Sequence, residues 1–220
     1  MPGKVVVLEG ADGTGKSTQF SLLTERLTRE QVPFRRLVYP RYSQPSSALV
    51  RMYLDGKFGS QPDDVNAYAA SSFYAVDRIA SYLEDWREYY LAGGLLMADR
   101  YTTSNAVYQG AKVENKEDFL KWLFEFEYDL LGLPRPDMVI YLDMPVEVSE
   151  RLMAKRRKET GEKADIHENN TEYLRECRKT AETLADKYGW RMIHCAPNGV
   201  IRTPEDIHEE IYSMIKEEVL

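Results

Sequence analysis

Gly10-Ala11-Asp12-Gly13-Thr14-Gly15-Lys16-Ser17 follows directly on the apolar run Val5-Val6-Val7-Leu8, and its spacing is G-x-x-x-x-G-K-S. That spacing suits the binding of a di- or triphosphate. The glycines let the backbone curl until successive N–H groups point inward, Lys16 reaches the outer phosphates, and the Ser17 hydroxyl can ligand Mg²⁺. Beyond the loop, apolar residues from Phe20 to Leu27 recur at helical period, so a helix opening at Lys16 adds its positive dipole end to the cradle. A tight glycine turn with an idle lysine is the competing reading. The strand before the loop and the helix after it weigh against that reading.

Moving a phosphoryl group to an acceptor that is itself anionic requires positive groups that bring two anions together and neutralise the transferring oxygens. Arginine suits the task, being planar, permanently charged and bidentate. Arg41 and Arg100 each follow an apolar run, where an open α/β sheet presents ligands, and Arg78 lies four residues after Tyr74 in a long helical pattern. Any one of them reads equally well as a surface ion pair. Their joint placement along one sheet edge points to a cluster around a site. Asn115-Lys116-Glu117-Asp118 fits the N-K-x-D pattern of guanine recognition, but it follows a polar stretch and opens a helix. Asp99 is followed by Arg100-Tyr101 and lacks the D-x-x-G of a γ-phosphate switch. A small kinase acting on a small molecule fits the chain better than a GTPase or a motor ATPase.

The elements that position these groups are legible as an alternation. Apolar runs at residues 5–8, 37–39, 95–98, 138–142 and 192–194 read as strands, separated by helical patterns, which implies a parallel sheet covered on both faces. A long helix is expected over residues 63–91, with Tyr68, Ser72, Ala75, Ile79 and Leu83 near a common face and Gly93-Gly94 ending it. Pro145 marks the start of a helix running through Arg157, and amphipathic helices are expected over residues 171–188 and 203–219. With 220 residues, no repeat and no linker, the chain reads as one α/β domain. Its formal charge of −7 argues against nucleic acid as the main partner. No run approaches the ~18 apolar residues of a membrane span. Cys177 and Cys195 have no metal-site spacing. A strand that begins within a few residues of the N-terminus leaves no room for a signal peptide, so a cytoplasmic location is expected.

In this order the motifs resemble the thymidylate kinase family. Leu8 to Thr18 is similar to its first motif, with the acidic Asp12 inside the loop. Tyr39-Pro40-Arg41-Tyr42 resembles its F-P-R-Y segment and Tyr74 to Arg78 its F-x-x-x-R. The run from Asp99 to Tyr108 resembles its D-R-Y-x-x-S-N-x-x-Y signature, and Gly132 to Asp137 and Tyr141 to Pro145 complete the series. The resemblance implies a P-loop NTPase fold with a five-stranded parallel sheet, helices on both faces and a small basic lid. It also implies the reaction ATP + dTMP → ADP + dTDP with Mg²⁺, in a homodimer formed through the long helices. Gly10, Asp12, Gly13, Thr14, Gly15, Lys16, Ser17 and Thr18 would hold ATP. Lys16 and Arg100 would bridge the two phosphates, Ser17 would hold the metal, and Asp12 would sit near the acceptor's sugar 3′-hydroxyl or the metal. Arg78 and Asn105 would read the thymine edge, Tyr74 would stack on it, and Tyr108 would close off the sugar 2′ position. Tyr39, Arg41, Tyr42 and Ser104 would line the acceptor site. Tyr74 and Tyr39 stand where the family usually has phenylalanine.

Some family members carry an arginine where this chain has Gly13, so the resemblance implies that the missing charge comes from the lid, over about residues 155–166. Arg151, Lys155 and Arg156 recur at roughly one-turn spacing and can face the phosphates together. A solvated helix end is the plainer reading of this charged run. Asp165 and Glu168 resemble an acidic pair that contacts the sugar or metal water, and read alternatively as the first turn of the next helix. The alternatives for the whole chain are a kinase of the same fold acting on another pyrimidine nucleotide or a deoxynucleoside, with Glu9 as its base, and a nucleotide-binding regulator without catalysis.

Overall fold

Val5, Val6, Val7 and Leu8 are all buried, which an apolar run achieves in a strand only when both faces of the sheet are covered. They form the centre of β1 (Lys4–Gly10). With β2 (Phe34–Val38), β3 (Leu95–Asp99), β4 (Met138–Asp143) and β5 (Arg191–His194) it builds a five-stranded parallel sheet in the order β2-β3-β1-β4-β5. The computed structural model describes residues 1–161 and 170–220. The helices are α1 (Lys16–Arg29), α2 (Ala48–Leu54), α3 (Ala67–Ser81), α4 (Arg87–Leu91), α5 (Thr102–Tyr108), α6 (Lys116–Phe124), α7 (Val146–Thr160), α8 (Thr171–Tyr188) and α9 (Pro204–Glu218).

Alternation along the strands divides the core. Val5, Val7, Leu96, Ala98, Val139 and Tyr141 pack on one side against α5, α6 and α8, while Val6, Leu8, Met97, Ile140 and Leu142 pack on the other against α1 and α9. The α/β architecture expected from the alternation is therefore the observed one. β1 lies between β3 and β4, so the loops after β1 and β3 leave the same end of the sheet on either side of a topological switch point.

Two boundaries differ from expectation. β2 begins at Phe34, ahead of residue 37, because Arg35 and Arg36 disguise an edge strand whose outer side faces solvent. The long helix begins at Ala67 where residue 63 was expected. Pro62–Asp64 forms a separate turn, closed by reciprocal Gln61 and Asp64 bonds, and Asn66 then caps the helix by accepting from the Ala69 N–H. Of the expected common face only Ala75 is fully buried; Tyr68 and Leu83 are exposed. A π-helical turn at Tyr82–Trp86 joins α3 to α4 and turns Tyr82 and Trp86 inward, Trp86 to 0 % exposure. Asn115 caps α6 by accepting from the Asp118 N–H, so the N-K-x-D segment is a helix start.

Candidate active site

The phosphate loop joins β1 to α1 with Gly15 in the left-handed region at φ 85° as the residue before the helix. Thr14 stabilises the curl by donating its hydroxyl to the Ala11 carbonyl at 2.8 Å. Gly13, at φ 77°, leaves no room for a side chain: a Cβ there would lie 2.7 Å from the Ser149 carbonyl and from Met153, both on α7. The first turns of α7 are thus packed directly on the loop backbone. Between them lies a cleft of about 310 Å³ lined by Asp12, Gly13, Lys16, Ser17, Met153 and Arg156 among others. Ser17 and Thr18 are exposed to it. Arg151 and Lys155, exposed on the same helix, lie outside the lining; Arg156 alone of the three predicted basic groups joins it. Asp165 and Glu168 lie outside the described residues.

Lys16 is 8 % exposed and forms an ion pair with Asp99 at the end of β3. Burial, with the charge of Arg100 nearby, holds its pKa below the ordinary lysine value, while Asp99 and Asp12 work the other way. Arg100 follows at φ 68°, a left-handed conformation that costs a non-glycine residue on the order of 1 kcal/mol. Its N–H donates to the Leu8 carbonyl at 3.2 Å. The guanidinium bonds Asp12 at 2.7 Å and lies 5.2 Å over the Tyr108 ring. Glu9, 1 % exposed, holds the turn after Arg100 by accepting from the Tyr101 N–H and the hydroxyls of Thr103 and Ser104, at 2.6 to 3.2 Å.

Beside Arg100 is a cavity of about 80 Å³. Its walls include Asp12, Tyr42, Tyr74, Arg100, Ser104, Asn105 and Tyr108, all expected at an acceptor site, together with Pro40, Leu54 and Gln109, which were not. Asn105 is anchored by its amide to the Ser71 carbonyl at 3.2 Å, and the Tyr108 hydroxyl reaches Asp12 at 3.5 Å. Tyr74 stands edge-on to Tyr53, with ring centroids 6.5 Å apart.

Three predicted residues are absent from this lining. Tyr39 is in the core at 4 % exposure, where its hydroxyl accepts from the Trp86 indole at 3.1 Å. Arg41 is tied through its backbone and side chain to the buried Asp77, and to Ser46. Arg78, 1 % exposed, is gripped by Glu127 through Nε at 2.7 Å and Nη2 at 2.5 Å. Asp77, Asp99 and Glu127 are partners that the sequence reading did not identify. Glu127 carries a usable signal: it lies four residues after Leu123 and eight after Phe119, continuing the buried stripe of α6 beyond its end, where a carboxylate demands a cation.

Known proteins resemble this chain over nearly its whole length. A family profile described as Thymidylate kinase matches residues 8–211. The thymidylate kinase of Limosilactobacillus fermentum is 30 % identical over 216 residues, covering 97 % of this chain and 96 % of the relative. A probable thymidylate kinase of Pyrococcus abyssi is 31 % identical, covering 100 % and 99 %. Among solved structures, that of thymidylate kinase from Candida albicans superposes with a TM-score of 0.71 at 19 % identity, over 98 % of this chain and 92 % of that one.

Proposed function

Because the chain belongs to the thymidylate kinase family, we propose that it is an enzyme that phosphorylates dTMP to dTDP with ATP as donor and Mg²⁺ as cofactor. An oxygen of the dTMP 5′-phosphate attacks the γ-phosphorus of ATP, the bond to the β–γ bridging oxygen breaks, and ADP leaves with the electron pair. The acceptor is already anionic, so positioning and electrostatics suffice and no strong general base is needed. The observation that carries the reading is the juxtaposition of Lys16 and Arg100, held by Asp99 and Asp12 between the loop cleft and the acceptor cavity.

In this mechanism Lys16 and Arg100 turn from their carboxylate partners to the phosphates, and Arg156 adds charge from α7 on the side where Gly13 can carry none. Tyr74, Arg78 and Asn105 contact the base, Tyr108 flanks the sugar, and Tyr42 with Ser104 borders the phosphate. Tyr39 supports this wall from the core, and Arg41 borders the phosphate beside Tyr42. The donor set suits Mg²⁺: the exposed Ser17 hydroxyl and the Asp12 carboxylate are hard oxygen ligands, and no cluster of three His, Cys, Asp or Glu among the described residues makes an all-protein cage. That is the pattern of a cation carried mainly by nucleotide phosphates, where it neutralises charge on the transferring group.

A deoxynucleoside kinase would need a free carboxylate base near the acceptor hydroxyl. Glu9, the candidate, is instead engaged by three donors of the Arg100 turn. Intact Lys16, Ser17 and Arg100 argue against a regulator without catalysis. We read the 220 residues as one kinase domain, with its lid near 155–166, of which 162–166 lie outside the described residues, acting in the cytoplasm on free nucleotides and not on nucleic acid. A homodimer belongs to the same reading: Val76 and Leu83, exposed at 49 % and 61 %, stand seven residues apart on the long helix. Phe73 and Tyr74 pack instead around Tyr53. Sedimentation as a monomer at micromolar concentration would remove the dimer. No helix of the described residues is long and apolar enough to cross a membrane.

The test is ADP formation from ATP·Mg²⁺ against dTMP, dUMP, UMP, dCMP, AMP and thymidine in parallel. Strong turnover with dTMP, less with dUMP and none with thymidine is expected. Preference for thymidine or a ribonucleotide would overturn the acceptor assignment.

A further inference from the structure

We propose that Glu127 is a positioning residue for the acceptor site, its buried carboxylate orienting the Arg78 guanidinium and bracing the turn that carries Arg100. The inference rests on the reading of Arg78 as the group that addresses the acceptor base. Glu127 has 0 % exposure and comes from a π-helical turn, Glu125–Leu130, that continues α6. It accepts from Arg78 Nε at 2.7 Å, from Arg78 Nη2 at 2.5 Å and from the Thr102 hydroxyl at 2.8 Å. One carboxylate therefore joins three segments: α3 through Arg78, the π-helical turn, and the residues just after Arg100 through Thr102.

The donor inventory of Arg78 makes the arrangement directional. A guanidinium offers five N–H groups in a fixed plane, and Glu127 takes its Nε–Nη2 edge in the fork geometry of a bidentate pair. Nη1 is left, with only a long 3.4 Å approach to the Tyr101 carbonyl. The carboxylate thus selects which edge of the plane keeps donor capacity. Arg78 stands one turn from Tyr74, a wall of the acceptor cavity. A buried ion pair of this kind adds little stability over an apolar pair of the same volume, so its gain here is orientation. Glu9 holds the following residues, Thr103 and Ser104, so the two carboxylates brace the Arg100 turn at successive positions.

Steady-state kinetics of Glu127→Gln test the proposal, with Ile211→Ala as a stability control. Ile211 is fully buried in the core on the opposite face of the sheet. The amide keeps the shape of the side chain but turns an N–H₂ toward a guanidinium, so Arg78 must rotate. KM for dTMP should rise about tenfold or more while KM for ATP changes less than about twofold. Ile211→Ala should lower the melting temperature and leave both KM values alone. Combined with Arg78→Met, Glu127→Gln should add little to the effect of Arg78→Met, as expected for residues acting as one unit. If Glu127→Gln does not fold, Glu127→Asp keeps the charge at shorter reach and should show the same split, less strongly. Unchanged KM for dTMP in a folded Glu127 variant, or full additivity with Arg78→Met, overturns the proposal. Unchanged KM in Arg78→Met overturns it through the base-reading premise. Absence of dTMP turnover in the parent protein would instead fail the proposed function.

Discussion

The two halves of the site are built differently. On the acceptor side several polar groups are held by protein partners: Arg100 by Asp12, its turn by Glu9 and Glu127, Arg41 by Asp77, and Asn105 by the Ser71 carbonyl. On the donor side Ser17, Thr18 and Arg156 are exposed along a wider cleft, with Arg151 and Lys155 exposed outside its lining. Lys16 sits between the two, the first residue of α1, held by a carboxylate of β3. The contrast follows from what each half must do. The acceptor side discriminates one small molecule from its close relatives, which requires groups fixed before contact. The donor side must admit a triphosphate and then shut out water, which requires an edge that can close.

If that contrast is right, the largest effect belongs to the acceptor-side residue that meets the transferring phosphate. Arg100→Ala should lower kcat by about a thousandfold or more, since it removes charge-neutralising contacts at the transferring group. ATP affinity measured by titration should change little. A loss below tenfold would mean that Lys16 and α7 suffice, and the acceptor side would no longer be the catalytic half.

Gly13→Ala probes where α7 meets the loop. Its Cβ would lie 2.7 Å from the Ser149 carbonyl, at a φ of 77° that alanine disfavours. Backbone strain and overpacking together should cost about 2 kcal/mol, read as a lower melting temperature, with KM for ATP raised more than KM for dTMP. An equal rise in both would show that the halves are not separable. Arg156→Ala should have the smallest effect of the three, a fall of about ten- to a hundredfold in kcat with KM for dTMP unchanged. Arg151→Ala, outside the cleft lining, should be nearly silent beside it.

The sequence exposed the two halves unequally, for the same physical reason. The phosphate loop is legible because its chemistry depends on backbone conformation, and glycine spacing records conformation directly. The acceptor side depends on pairs brought together from distant segments: Asp99 with Lys16, Asp77 with Arg41 and Glu127 with Arg78 are 83, 36 and 49 residues apart. No local pattern encodes such pairings. The motif resemblance placed Tyr74, Asn105 and Tyr108 around one cavity, yet it could not show which groups are held from beneath: Tyr39 and Arg78 are buried, and Arg41 is half-buried against Asp77. The helix boundary at Ala67 was missed because a capped turn at Pro62–Asp64 imitates a helix start. Sheet alternation, by contrast, was plain, since strands buried on both faces must read as continuous apolar runs.

Amide hydrogen exchange across residues 100–108 and 146–160, with and without dTMP and a non-hydrolysable ATP analogue together, tests the division most directly. Ligands should slow exchange in α7 by about tenfold or more and leave the buried α5 segment within about twofold of its already slow rate. Strong new protection in α5 with none in α7 would contradict a fixed acceptor side and a closing donor side.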